Sequence, residues 1–297
     1  MIIMTIFVGL IILFFIWSFM EKRIISLTQY ILDYKGYNHK SKDISFLVLS
    51  DLHNKRYGKN NKTLINKILD ERPDFLIIAG DLITKRKPCY PSNAYDLIAE
   101  LIKYCPIYYA YGNHEQYFED LTRDRISKLD KKLISLSESW LLFKDMLLKL
   151  GVYLLDNESI LLYNDNKIKV TGLSTSTDYY ARGKIRKLRQ EDLISLIGKS
   201  RSDVYEILVA HNPIYYKEYI NWGADLIISG HLHGGLIRLP FIGGLISPQL
   251  RLFPKYDSGV NSVNNKHMVV SRGAGDHSFM PRFLNPPELV KITLKAK

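Results

Sequence analysis

Apolar runs of five or six residues recur along the chain, and each stops at polar residues of a restricted kind. Residues 44–49 run into Ser50-Asp51-Leu52-His53, and residues 75–79 into Gly80-Asp81. Residues 107–111 run into Gly112-Asn113-His114-Glu115, 205–210 into His211-Asn212-Pro213, and 225–229 into Gly230-His231-Leu232-His233. Runs this short, bounded by turn residues, predict buried strands. Between them the period changes. Leu64, Ile65, Ile68 and Leu69 share one helical face within 62–71, which Pro73 closes. Helices are also predicted over 93–104, 190–198 and a charged, amphipathic 119–150 that finishes at Gly151. Shorter strands are predicted at 152–155, 159–163, 167–173, 267–271 and 289–294. Alternating strands and helices predict a layered α/β domain, with β-rich material toward the C-terminus.

Two stretches depart from this alternation. Residues 236–259 are apolar and rich in Gly and Pro. They read as packed strands turning at Gly243-Gly244, or alternatively as a segment that dips into a bilayer and admits a lipid. Residues 1–20 carry no charged side chain. Twenty helical residues span about 30 Å, the thickness of a bilayer's hydrocarbon core. No basic residue precedes this run and no small-residue cleavage site comes after it, so it reads as an uncleaved transmembrane anchor. Residues 21–43 then form a juxtamembrane connector, helical in part, and 44–297 the folded domain. Lys22, Arg23, Lys35, Lys40 and Lys42 follow the anchor, so the positive-inside rule puts that domain in the cytoplasm of a single-pass cell-membrane protein.

Charge supports this picture. Lys and Arg number 41 against 30 Asp and Glu, a net +11 in 297 residues. Such an excess points to nucleic acid or to an anionic membrane surface. The anchor favours membrane lipids as partners, and the lack of interleaved aromatic and basic residues argues against nucleic acid. Cys89 and Cys105 are too few for a disulfide framework or a thiolate metal site, so any metal is held by nitrogen and oxygen.

Asp51, His53, Asp81, Asn113, His211, His231 and His233 all come directly after predicted strands. In layered α/β sheets the functional edge lies beyond the carboxyl ends of the strands, so residues 180 positions apart can meet. Imidazole, carboxylate and amide oxygen suit Mn²⁺, Fe and Zn²⁺ rather than an all-oxygen calcium site. Seven ligands exceed one tetrahedral site and suit two divalent ions sharing a carboxylate, with Mn²⁺ favoured. Two ions about 3.5–4 Å apart can hold a hydroxide and clamp a phosphoryl oxygen.

In order and spacing, DxH (51–53), GD (80–81), GNHE (112–115), the lone His211 and GHLH (230–233) resemble the calcineurin-like metallophosphoesterases. The C-terminal half, including "SGHLHGGLIRLPFIGGLISP" and "NPPEL", resembles a membrane-associated bacterial branch. The resemblance implies a four-layer αββα sandwich behind the N-terminal transmembrane helix, and a dinuclear site. Asp51, His53 and His233 would hold one metal, Asn113, His211 and His231 the other, and Asp81 would bridge them. His114 would face substrate and stabilise charge on phosphate or protonate the leaving alkoxide. Thr84 stands where purple acid phosphatases carry a tyrosine ligand, which argues against an Fe(III)–tyrosinate site. Arg272 and Arg282 are candidates for holding a phosphate or headgroup, and His277 for reaching the site. His39 and His267 read as surface residues.

The reading is a membrane-anchored dinuclear phosphoesterase. It is a phosphodiesterase acting on a lipid-linked or nucleotide-lipid substrate by attack of a metal-bound hydroxide. Its rivals are a nuclease or cyclic-nucleotide phosphodiesterase, and a metal-free scaffold of the same fold.

Overall fold

The computed structural model describes all residues except 35–41, 124–129, 163–166, 182–185, 236, 240–241, 247–251, 277–280 and 297. The first half runs α1 (Ile2–Glu21), β1 (Ser26–Tyr34), β2 (Ile44–Leu49), α2 (Lys62–Asp70), β3 (Phe75–Ala79), α3 (Asn93–Leu101), β4 (Ile107–Ala110), α4 (Asn113–Arg123) and α5 (Lys131–Lys149). It continues as β5 (Tyr153–Leu155), β6 (Ser159–Leu162), β7 (Ile168–Leu173), α6 (Gln190–Ile197), β8 (Tyr205–Ala210), α7 (Tyr216–Trp222) and β9 (Leu226–Ser229). The two-residue strands β10 (Arg238–Leu239) and β11 (Gly243–Gly244) precede β12 (Gly259–Val263), β13 (Lys266–Val270) and β14 (Glu288–Ala296).

The long strands build two mixed sheets, ordered β1-β14-β2-β3-β4-β5 and β12-β13-β9-β8-β7-β6. β2, β3, β4 and β5 run parallel in the first sheet, and β7, β8, β9 and β13 in the second. Successive side chains on a strand leave opposite faces. Phe46, Val48, Ile77 and Ala79 meet Ile207, Val209 and Ile228 in a core between the sheets. Leu47, Leu49, Leu76 and Ile78 point the other way, onto Leu64, Ile68, Leu97 and Trp140 of the helices. Leu208 and Ile227 face Leu193, Tyr219 and Trp222 of α6 and α7. Strands covered on both faces are why the sequence shows continuous apolar runs rather than alternation. The result is an α/β fold of helix, sheet, sheet and helix layers.

Three expectations change. Residues 21–43, expected as a connector helical in part, contain β1, an edge strand parallel to β14. Leu32 and Tyr34 of β1 enter the inter-sheet core. The predicted helix over 119–150 is two helices, the first starting at Asn113, with 124–129 outside the described residues. Trp140 and Phe143 are fully buried, packed with Phe118 and Tyr111, although Leu141 and Leu142 are exposed. Residues 259–263, at the close of the Gly/Pro-rich stretch, form β12 against β13. β10 and β11 pair, with Leu239 opposite Gly243, but Gly243-Gly244, expected at the turn, form β11 itself.

α1 is apolar on every side, and only Ser18 among its residues is buried. Its length and composition suit a membrane anchor or a signal sequence. Its last turns touch the domain. The Arg282 backbone N–H donates to Ser18 Oγ (3.0 Å), and Phe14 and Trp17 flank Phe283 with ring centroids 5.1 and 6.3 Å apart.

Candidate metal centre

The carboxyl ends of β2, β3 and β4 in one sheet and of β8 and β9 in the other open onto the same edge. Backbone bonds knit the loops that leave them. The Asp51 N–H donates to the Gly80 carbonyl and the His53 N–H to the Asp81 carbonyl, both at 3.0 Å. Across the sheets, the His231 N–H lies 3.1 Å from both carboxylate oxygens of Asp51. To aim their side chains inward, Asp51, His53, Asp81, His231 and His233 all take left-handed backbone conformations, with φ between 50° and 69°. Non-glycine residues there are strained, and such strain gathers at functional sites. Glycine is needed where backbone passes the carboxylates. A Cβ on Gly112 would sit 2.3 Å from Asp81 Oδ1, and one on Gly230 2.3 Å from Asp51 Oδ2.

The side chains meet in overlapping groups. Asp51, His53 and His233 form one set whose ligand atoms all lie within 4.8 Å of one another. Asp81, His211 and His231 form a second, and Asp81 also joins His53 and His114 in a third. His53 Nε2 lies 3.2 Å from His233 Nε2, and His211 Nε2 lies 3.3 Å from Asp81 Oδ2. Asp81 is thus the carboxylate common to both halves of the cluster.

These donors fit metal ions on their own evidence. Asn113 Oδ1 and His211 Nε2 are buried with no hydrogen-bond partner among the described residues. Buried polar atoms without partners are costly, and a cation satisfies both. His211 Nδ1 lies 2.7 Å from the Ala79 carbonyl, which holds the proton on Nδ1 and leaves the Nε2 lone pair for a ligand bond. Electrostatics agree. Burial drives Asp51 above the usual carboxylate range. Burial also acts to raise Asp81, but the nearby imidazoles of His114 and His211 outweigh it and hold that carboxyl well below its ordinary value. Burial acts to lower His211, yet the charges of Asp81 and Asp51 prevail and raise it to about 10. Two buried carboxylates among these imidazoles call for positive charge at this point.

A model of the family described as calcineurin-like phosphoesterase matches residues 44–235, which include all five strand ends. The chain belongs to the calcineurin-like phosphoesterase family. It is a metal-dependent phosphoesterase with a His/Asp metal site. Similar proteins include an uncharacterized metallophosphoesterase of Aquifex aeolicus (strain VF5), 27% identical over 262 residues that cover 87% of each chain. The uncharacterized metallophosphoesterase YkuE of Bacillus subtilis (strain 168) is 24% identical, covering 94% of this chain and 88% of its own. The phosphodiesterase YaeI of Escherichia coli (strain K12) is 23% identical, covering 77% of this chain and 74% of its own.

Around the phosphoesterase cluster stand residues whose roles sequence alone did not bring out. Glu115 is fully buried and accepts from the backbone N–H groups of Asp81 (2.8 Å) and Gly112 (2.9 Å) and from the Tyr109 hydroxyl (2.6 Å). Burial, with the charge of Asp81 beside it, pushes its carboxyl up to about 7. Asn285 donates to the carbonyls of His233 (2.7 Å) and Gly235 (2.6 Å) and so fixes the histidine loop. Tyr180 stands edge-on to His231, with ring centroids 5.1 Å apart. The signal that could have found Glu115 is its place in the GNHE motif; Asn285 and Tyr180 carry no local signal.

The arginines expected at the substrate are taken up by the protein itself. Arg282 is buried and donates to the carbonyls of Arg272 (2.9 Å), Gly275 (2.7 Å) and Asn285 (3.2 Å). Its Nη2 also lies 3.3 Å from His233 Nδ1, so it braces a candidate ligand from behind. Arg272 pairs with Glu288 at 3.0 Å. Enclosed guanidinium groups fall to whatever acceptors the fold supplies, and here those are carbonyls and a carboxylate. His267 lies on β13 beside Ser262 (2.8 Å), while His39 and His277 lie outside the described residues.

Proposed function

We propose that this phosphoesterase is held at a membrane by α1, with its domain on the cytoplasmic side, and cleaves a phosphodiester carried on a lipid or nucleotide-lipid. The observation that carries the reading is Asp81 shared between two ligand groups. On it, Asp51, His53 and His233 hold one ion, Asn113, His211 and His231 the other, and Asp81 both, with Mn²⁺ the favoured metal. When bound, a pair of divalent ions supplies Lewis acidity at phosphorus and makes water a competent nucleophile at neutral pH. His114 supplies a donor. The Lys85 backbone N–H donates to His114 Nδ1 (3.0 Å), which points Nε2–H into the site, 3.8 Å from Asp81 Oδ2. There the N–H donates a hydrogen bond to the departing oxygen and stabilises the charge that develops on it.

Preference for a diester is supported by the fate of the arginines. A dianionic terminal phosphate calls for extra cationic forks, and Arg272 and Arg282 are already occupied. YaeI, a phosphodiesterase by name, leans the same way. The test uses the full chain in neutral detergent, stripped with chelator and reloaded with Mn²⁺, Zn²⁺ or Fe²⁺. Hydrolysis of bis(p-nitrophenyl) phosphate should return with metal, exceed that of p-nitrophenyl phosphate, and vanish in Asp81→Ala. A monoester preference would remove the diester assignment. Turnover that survives both chelation and Asp81→Ala would remove the metal assignment.

A further inference from the structure

After delivering Asp51 and His53 inward, the loop that leaves β2 turns outward and meets the C-terminal end of α1. Between them lies a cavity of about 400 Å³, lined chiefly by Phe19, Lys22 and Arg23 from the helix end and by Lys55, Arg56 and Asp276 from the domain. Four cationic side chains thus face one carboxylate. Lys55 takes up that carboxylate, its Nζ 3.1 Å from Asp276 Oδ1, and also donates to the Lys22 carbonyl at 2.5 Å. Among the described residues, Lys22, Arg23 and Arg56 have no carboxylate partner. Arg56 is steadied through Nε by Asn93 Oδ1 (2.8 Å), and Arg23 rests over the Phe19 ring at 4.0 Å. Arg23 and Arg56 are thus held in place without being neutralised.

We propose that this cavity is a binding site for a phosphate group, filled by the headgroup of an anionic phospholipid lying beside α1. The inference rests on the anchored reading of α1. A helix of this length that spans a bilayer ends at headgroup depth, and Lys22 and Arg23 follow its end directly. Docking of Ser18 against Arg282, and of Phe14 and Trp17 around Phe283, fixes the helix end on the domain, so the cavity wall is a built surface. Phe19 and Ile24 are 58% and 63% exposed beside it, as apolar company for acyl chains. The site is separate from the metal centre, yet Lys55 is only two residues from His53. A bound headgroup would therefore clamp the metal-bearing loop to the membrane helix.

The test is native mass spectrometry of the full chain, stripped with chelator so that phosphate finds no metal. It is titrated separately with phosphatidylglycerol, phosphatidylcholine and inorganic phosphate. The wild type should retain one phosphatidylglycerol in preference to phosphatidylcholine. The double variant Lys22→Ala/Arg56→Ala should lose that preference by about tenfold or more, the weight of two basic groups at an anionic surface. Arg56→Lys should keep most of it, and an unchanged melting temperature shows that the variants are folded. Equal retention of phosphatidylglycerol by wild type and double variant overturns the proposal. A saturable inorganic-phosphate adduct lost in the double variant, with no preference among lipids, keeps the phosphate site and overturns the lipid as its source. Alkaline carbonate extraction of the full chain from cell membranes tests the anchored reading by itself. Release of the protein would defeat that reading while the phosphate titration still judged the cavity.

Discussion

At the scale of single residues, the centre depends on backbone passing unusually near to charged side chains. Gly112 leaves no room for a methyl group beside Asp81, and backbone cannot retreat because the Gly112 N–H is held by Glu115. Gly112→Ala should therefore displace Asp81 and lower bound metal, read by elemental analysis after dialysis, with a smaller loss in stability of about 1–3 kcal/mol. Retention of two ions per chain would show that Asp81 is not the shared ligand. His114 makes a different prediction. A proton donor matters most when the leaving group is poor, so His114→Ala should slow an alkyl phosphodiester by about 10²–10⁴-fold and a nitrophenyl diester far less. Equal losses on both would reassign His114 to binding charge on phosphate. Glu115 acts through its neighbours, because it ties Asp81, Gly112 and Tyr109 together with one carboxylate.

At the scale of elements, β1 is the instructive case. Its parallel partner, β14, starts 262 residues after β1 does, at Glu288 against Ser26, so no local pattern could announce the pairing. The same strand end also carries Ser26 and Thr28, which lie 3.3 Å from the Arg272 guanidinium. Leu32 and Tyr34 bury their side chains in the inter-sheet core, each worth about 1.5–3 kcal/mol. A chain beginning at residue 44 should thus melt well below one beginning at residue 24, and should aggregate through the exposed edge of β14. Similar melting curves would mean that β1 is an appendage. Elements with local signatures fared better. β8 runs over 205–210 as its apolar run predicts, and α2, α3 and α6 fall inside the helices expected from spacing. The split between α4 and α5 escaped because both halves carry the same mixture of charge and apolar side chains.

At the scale of the whole molecule, the proposed attachment draws on both charge and the apolar helix. An excess of eleven positive charges attracts anionic lipid over roughly a Debye length, about 8 Å at physiological salt, and salt weakens it. Apolar burial of α1 is insensitive to salt. Vesicles containing phosphatidylglycerol should therefore hold the full chain at all salt concentrations, whereas a form starting at residue 24 should bind at low salt and be released at high salt. Release of the full chain by salt alone would leave α1 without a role in attachment. Arg282 touches both α1, through its backbone N–H, and His233, through its guanidinium, so one residue links the apolar helix to the metal site.

The sequence by itself determined the chemistry. Strands buried on both faces must be written as apolar runs, and the residues just past such a run lie at a sheet's edge. The side-chain types gathered at Asp51, His53, Asp81, Asn113, His211, His231 and His233 were therefore legible with no structure. The length and apolar character of α1 were equally plain, because both are read from consecutive residues. Tertiary structure alone decided which groups stand within ligand distance of Asp81. It also decided that Arg272 and Arg282 serve the protein, that Glu115 and Asn285 hold the loops, and that β1 completes a sheet. Each of those depends on partners distant along the chain, and a hydrogen bond or strand pairing of that kind leaves no periodic mark on the residues that make it.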